Sequence, residues 1–153
     1  MIFMRDMKIR IVASIVAVAS CAVVFGARAD DSLGDQEYWD KEMYYAQRSL
    51  DATNAKCGTK ITFEFAGKPD FRRKATAAGV TPNGVCTAIL DELTTLCGTP
   101  AKATRVQQKI KSVSCSYAQP RTFSLASGKL TLGNNNNEAN FGDWAKVQLG
   151  RAL

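Results

Sequence analysis

The sequence predicts an α+β domain whose mostly antiparallel four-stranded sheet is covered by helices on one side and held by two disulfides. Three observations lead there. Apolar residues recur at helical spacing over Leu33–Cys57 and from Pro82 to Cys97, and they alternate at strand spacing over 60–65, 111–117 and 123–132. The two kinds of segment are mixed along the chain, with no internal repeat and no sign of a second domain. Downstream of an apolar leader, an even number of cysteines remains: Cys57, Cys86, Cys97 and Cys115.

The first helix is expected from Leu33 to Cys57. Trp39, Met43, Ala46 and Leu50 lie at four- and three-residue steps, Cys57 falls on the same stripe, and Gly58 provides a stop. Acids crowd its N-terminal half, where the helix dipole favours them. Lys60 to Phe65 alternates, so Ile61, Phe63 and Phe65 should face inward from a strand. The stretch from Gly67 to about Thr81 reads as a loop with one helical turn at most. Thr81-Pro82 is an N-cap followed by proline at the first helical position, and Val85, Ile89, Leu90, Leu93 and Leu96 form a wide apolar face up to Cys97.

Thr99-Pro100 repeats that start signal for a short helix carrying Ala103, Val106 and Ile110. Alternation returns with Val113, Cys115 and Tyr117 in a second strand. Ser127-Gly128 then separates two runs so that Leu125 faces Leu130 and Phe123 faces Leu132, which is a hairpin. A polar loop follows, and Asn140 with Asp143 is expected to cap a last helix with Phe141, Trp144, Val147 and Leu149 on its apolar side.

The cysteine spacings of 29, 11 and 18, with no histidine in the chain, do not fit a structural zinc site. A disulfide framework fits instead. Cys86 and Cys97 sit eleven residues apart on one expected helix. At ~1.5 Å per residue their Cα atoms would stand roughly 16 Å apart, beyond the ~7 Å that a disulfide spans. Two connectivities stay open: 57–86 with 97–115, which is favoured, or 57–97 with 86–115.

Residues 1–29 have the layout of a secretory signal. A basic start (Arg5, Lys8, Arg10) leads into the apolar run Ile11–Gly26 and then the small-x-small exit Ala27-Arg28-Ala29. The apolar run is sixteen residues long, short of the ~20 that a spanning helix needs. Val18-Ala19-Ser20-Cys21 is similar to the lipobox of bacterial lipoproteins, which would place a lipid on Cys21. Apolar residues continue past that cysteine, so cleavage after Ala29 is the expected event. The mature domain would span 30–153, in the periplasm, the cell envelope or outside the cell.

Removing Arg5, Lys8, Arg10 and Arg28 from the 20 basic residues, and Asp6 from the 14 acidic ones, leaves a net charge of +3. That is too little to suggest nucleic-acid binding. The charge is uneven, with acids concentrated between Asp30 and Asp51 and bases between Lys56 and Lys129.

The absence of histidine removes Ser-His and Cys-His nucleophiles and the usual general base. The acids that stand out, Glu64, Asp91 and Glu92, read as surface charge. Asn134–Asp143 lacks the order of a calcium loop, and no phosphate-cradling glycine loop is present. No catalytic residue, metal or cofactor is therefore assigned. Two features read as binding surfaces: Tyr38, Tyr44 and Tyr45 on the first helix, and the basic cluster Arg72, Arg73 and Lys74. The function expected is that of a non-catalytic binding module, with another protein as partner. The alternatives are a hydrolase using carboxylates alone and an electrostatic binder of anionic envelope lipid or glycan. Other membrane contact would come only through the leader or a lipid at Cys21.

Overall fold

A computed structural model of the chain describes residues 33–135 and 140–153. The leader expected over 1–29, its cleavage site and the Cys21 lipid signal lie outside the described residues. Helix α1 (Leu33–Cys57) is followed by β1 (Thr62–Phe65), α2 (Lys68–Ala77), α3 (Pro82–Leu96) and α4 (Pro100–Lys109). Strands β2 (Ser112–Tyr117), β3 (Thr122–Ala126) and β4 (Lys129–Asn134) and helix α5 (Phe141–Ala152) complete the order. Among the described residues, no helix is long and apolar enough to cross a membrane.

The fold is α+β with a four-stranded sheet, but the sheet is mixed rather than mostly antiparallel. Its order is β1-β2-β4-β3. Strands β1 and β2 pair in parallel, as do β2 and β4, and only β3 and β4 are antiparallel. Three helices separate β1 from β2, ample chain to return to the starting end of the sheet, as a parallel pair requires. The hairpin forms in the expected register, Leu125 opposite Leu130 and Phe123 opposite Leu132. Ser127 and Gly128 both have positive φ, 49° and 81°, the backbone of a two-residue turn matched to strand twist.

Within that hairpin β4 takes the inner place. Its Leu130, Leu132, Gly133 and Asn134 are buried, whereas β3 alternates between exposed and half-buried residues and suits an edge. Gly133 makes this order possible. The chain from β2 to β3 passes the end of β4, and a β-carbon at Gly133 would collide with the Thr122 hydroxyl and stand 2.5 Å from Cβ of Ala118.

The core joins Phe65, Val113, Cys115, Leu130 and Leu132 from the sheet to Val85, Ile89, Leu90 and Leu93 of α3. The other side of the sheet carries Thr62, Glu64, Thr131, Thr122 and Ser124, all exposed.

Helix α1 runs parallel to α3 and is held at three heights. The buried Glu42 carboxylate accepts from the backbone N–H of Asn83 at 2.8 Å. The buried Thr53 hydroxyl lies 3.0 Å from the Leu90 carbonyl oxygen and 2.9 Å from the Thr94 hydroxyl. Cys57 is bonded to Cys97, with Cα atoms 5.1 Å apart. The second bridge joins Cys86 to Cys115 of β2, with Cα atoms 6.0 Å apart.

The favoured pairing 57–86 with 97–115 is therefore replaced by the other open one, while Cys86 and Cys97 stay apart as expected. The reason is direction. Because α1 and α3 are parallel, the C-terminal end of α1 meets the C-terminal end of α3, where Cys97 stands, and not its N-terminal half, where Cys86 stands.

Three local readings change as well. The expected loop after Gly67 is the helix α2, which buries Phe71 and Ala75 at a four-residue step. The Phe71 ring lies 6.0 Å from that of Trp39 and 5.8 Å from that of Phe65. Asn140 precedes α5 in a left-handed conformation and makes no side-chain cap. Val147 is exposed, with Ala145 buried on α5 in its place.

Candidate functional site

The three tyrosines of α1 separate into two environments. Tyr38, half-buried, lies beneath Arg72, whose guanidinium is 4.3 Å from the ring centroid. Arg72 is also ion-paired with Asp35. Planar guanidinium over an aromatic face is a favourable cation–π arrangement, and here it ties the start of α1 to α2. Burial raises the Tyr38 hydroxyl above its ordinary pKa, and the negative charge of Glu42 adds to this. Lys68 makes a second such contact, 5.6 Å from the Trp39 ring.

The rest of the basic cluster turns to Asp70. Arg73 and Lys74 both pair with this carboxylate, Lys74 at 2.7 Å. Their hydrogen bonds, Lys74 first and Arg73 second, hold the Asp70 carboxyl below its usual range. Arg72, Arg73 and Lys74 thus each have an acid beside them, an arrangement that lowers the field the cluster presents to an outside anion.

Tyr44 and Tyr45 have the opposite character. They are 61% and 42% exposed, and their rings meet edge to face with centroids 5.6 Å apart. Tyr45 borders an open depression of about 400 Å³ between α1 and α3, lined also by Arg48, Ser49, Ala52, Asn83 and Asp91. The floor of this region is ordered. Glu42, just beneath, holds the first turn of α3 through Asn83, and Thr81 caps the same turn by accepting from the Gly84 N–H at 3.2 Å. Partial desolvation raises the Asp91 carboxyl above its ordinary range. The depression therefore offers an aromatic wall, a guanidinium and a carboxylate with reduced hydration.

The sequence marks Tyr45 but not Arg48, Asn83 or Asp91 as its neighbours. Arg48 follows Tyr45 at a three-residue step on the same helix face, a signal that was present. The contribution of α3 has no such signal, since it depends on α1 and α3 lying parallel. Glu42 was equally hidden, because a carboxylate beside an apolar stripe ordinarily faces water.

The acids considered for catalysis diverge. Asp91 lines the α1–α3 depression, Glu92 has its Oε1 close to Gly142 of α5, and Glu64 pairs with Lys129 at 2.8 Å on the uncovered side of the sheet. Among the described residues, no group of three or more carboxylates and cysteines is placed to hold a metal ion. Asn134, from the segment considered for calcium, instead donates through its side-chain amide to the Val85 carbonyl at 2.9 Å and accepts from Arg121 at 3.0 Å. In comparison with known proteins, the chain matches no family model, no curated protein and no solved structure.

Proposed function

We propose that this chain is a non-catalytic binding module of an oxidising, extracytoplasmic compartment, and that it engages another protein through the α1–α3 depression. Two disulfides fit such a compartment, where bridges form and persist. The observation that supports the site is the exposed Tyr44–Tyr45 ring pair at the rim of a depression containing Arg48. Tyrosine and arginine are enriched where protein interfaces concentrate their binding energy. Tyr45 supplies area at little entropic cost, Arg48 supplies directional donors, and the disulfide at the end of the seam keeps both in place before a partner arrives.

The test compares three forms of the oxidised protein: wild type, Tyr44→Ala/Tyr45→Ala and Arg48→Ala. Each is immobilised and exposed to an extract of exported proteins. A partner retained by wild type should be lost from the tyrosine variant and weakened about tenfold or more by Arg48→Ala, with melting temperatures unchanged. Retention that is equal in all three would remove the depression as the site.

A further inference from the structure

Parallel strands bring their beginnings together, and in this sheet the beginnings are basic. Lys60 stands two residues before β1, Lys111 immediately before β2, and Lys129 opens β4. The register aligns Thr62 with Ser112 and Ser112 with Lys129, so these lysines gather at one end of the sheet. Lys109, the last residue of α4, joins them; the β-carbon position at Gly128 lies 3.1 Å from Cγ of Lys111 and 4.0 Å from the Lys109 carbonyl oxygen. All four lysines are exposed.

Unlike Arg72, Arg73 and Lys74 of α2, Lys60 and Lys111 have no acidic partner among the described residues. Among the described residues, no side-chain carboxylate forms an ion pair with Lys60, Lys109 or Lys111, and Lys129 alone pairs with Glu64. The Lys111 ammonium donates to the Gln107 carbonyl, and that of Lys109 donates to the Ala152 carbonyl at 2.9 Å and to the Leu153 oxygen at 3.3 Å. Two open depressions adjoin here and share Lys111. One, of about 350 Å³, also has Lys60, Thr59 and Gln107; the other, of about 480 Å³, also has Lys109, Gln108 and Ser127.

We infer that this pole is a docking surface for a linear acidic polysaccharide. Successive lysines meet carboxylate or sulfate groups along the chain, while the Gln108 amide and the Ser127 hydroxyl serve its sugar hydroxyls; Gln107, whose amide nitrogen donates to the Cys57 carbonyl at 2.7 Å, adds its amide oxygen. The two depressions in a row suit an extended polymer. Neither is lined by an aromatic residue, and their large apolar side chains, Ile110 and Leu125, are buried and half-buried. Single-stranded nucleic acid binds by stacking on aromatic rings, and interfacial binding to a bilayer uses large apolar anchors, so both are less well served. This surface is separate from the Tyr44–Tyr45 depression and does not depend on it.

The test measures binding of the oxidised full chain to dextran sulfate, with neutral dextran, single-stranded oligothymidine and phosphatidylglycerol vesicles alongside. Dextran sulfate should bind at low salt and lose affinity steeply as salt is added. Lys60→Glu/Lys111→Glu should weaken it about tenfold or more. Arg73→Glu/Lys74→Glu changes net charge equally at another exposed place and should weaken it no more than about twofold. Lys60→Gln/Lys111→Gln gives a milder loss and is the readout should charge reversal impair folding. Equal losses from both charge-reversal pairs, no binding to dextran sulfate, or tighter binding to the oligonucleotide or vesicles would each overturn the inference.

Discussion

The seam between α1 and α3 and the edge formed by β3 and α5 bury apolar surface in the same small protein, but they are specified in different ways. Along the seam, contacts come at defined heights and are directional: a carboxylate on a backbone N–H, a hydroxyl on a carbonyl, and a covalent bridge. Sliding one helix by a turn would break all three. At the edge, Phe123 and Phe141 meet the Trp144 ring at 6.2 Å and 5.7 Å, and the Arg121 guanidinium lies 5.4 Å from Phe141 and 5.7 Å from Trp144. Ring and cation–π contacts tolerate small displacements. The comparison teaches that register in this fold is set by polar and covalent contacts on one side, leaving the other side to close by apolar packing. The candidate protein-binding depression lies on the fixed side.

The largest way to break this contrast is to open the seam. Cys57→Ala/Cys97→Ala releases a cross-link between residues separated by 40 positions, and about 3–4 kcal/mol of stability should be lost by the loop-entropy relation. Urea unfolding of the variant measures it. A loss below about 1 kcal/mol would mean that Glu42 and Thr53 hold the seam without the bridge.

Gly133→Ala attacks the opposite side, where the β2–β3 connection passes over β4. With Thr122 and Ala118 in the way of a β-carbon, roughly 2–3 kcal/mol should be lost through overpacking, read as a lower unfolding midpoint in urea.

Smaller effects distinguish the two modes of contact. Glu42→Ala leaves the partly buried Asn83 N–H without its acceptor and should cost about 1–2 kcal/mol. Glu42→Gln should cost less, since an amide oxygen still accepts. Trp144→Ala should cost a similar 1–2 kcal/mol, roughly, because that ring is only half-buried. Amide hydrogen exchange then separates the variants. Trp144→Ala should speed exchange in α5 and β3 alone, and Glu42→Ala should reach α1 and α3.

The smallest effect is electrostatic and lies on neither side. Hydrogen bonds from Lys129 and then Ser114, with the Lys129 charge, hold the Glu64 carboxyl below its ordinary 4.5. A lowered folded-state pKa contributes stability above the unfolded pKa and loses it as pH falls through the folded one. Wild type should therefore exceed Glu64→Gln at about pH 6 by a few tenths of a kcal/mol at most for so exposed a pair. The gap should narrow as the pH falls below 4.5 and through the folded-state pKa, as urea midpoints taken across that acid range would show.

Much of this was legible beforehand because it is local. The four-residue steps of α1, the Thr81-Pro82 start of α3 and the Ser127-Gly128 turn each encode their element within a few residues. Helix α2 is not legible in the sequence although Phe71 and Ala75 carry its spacing. Its two buried residues are too few to stand out in a basic stretch, and packing on Trp39 and Phe65 supplies what periodicity does not. Of the candidate site, Tyr44 and Tyr45 could be named from sequence, since exposed aromatics off a stripe are visible there. Arg48, Asn83 and Asp91 could not be joined to them, because two helices contribute and their direction was unknown.

By itself the sequence determined every element except α2, the hairpin register and the separation of Cys86 from Cys97, all consequences of backbone geometry over short spans. Only the tertiary structure decided the strand order, the parallel pairing, the partners of the four cysteines and the gathering of Lys60, Lys109, Lys111 and Lys129 at one end. Those depend on which surfaces of distant segments bury one another most completely. That balance is summed over the whole core, and no single stretch of chain contains it.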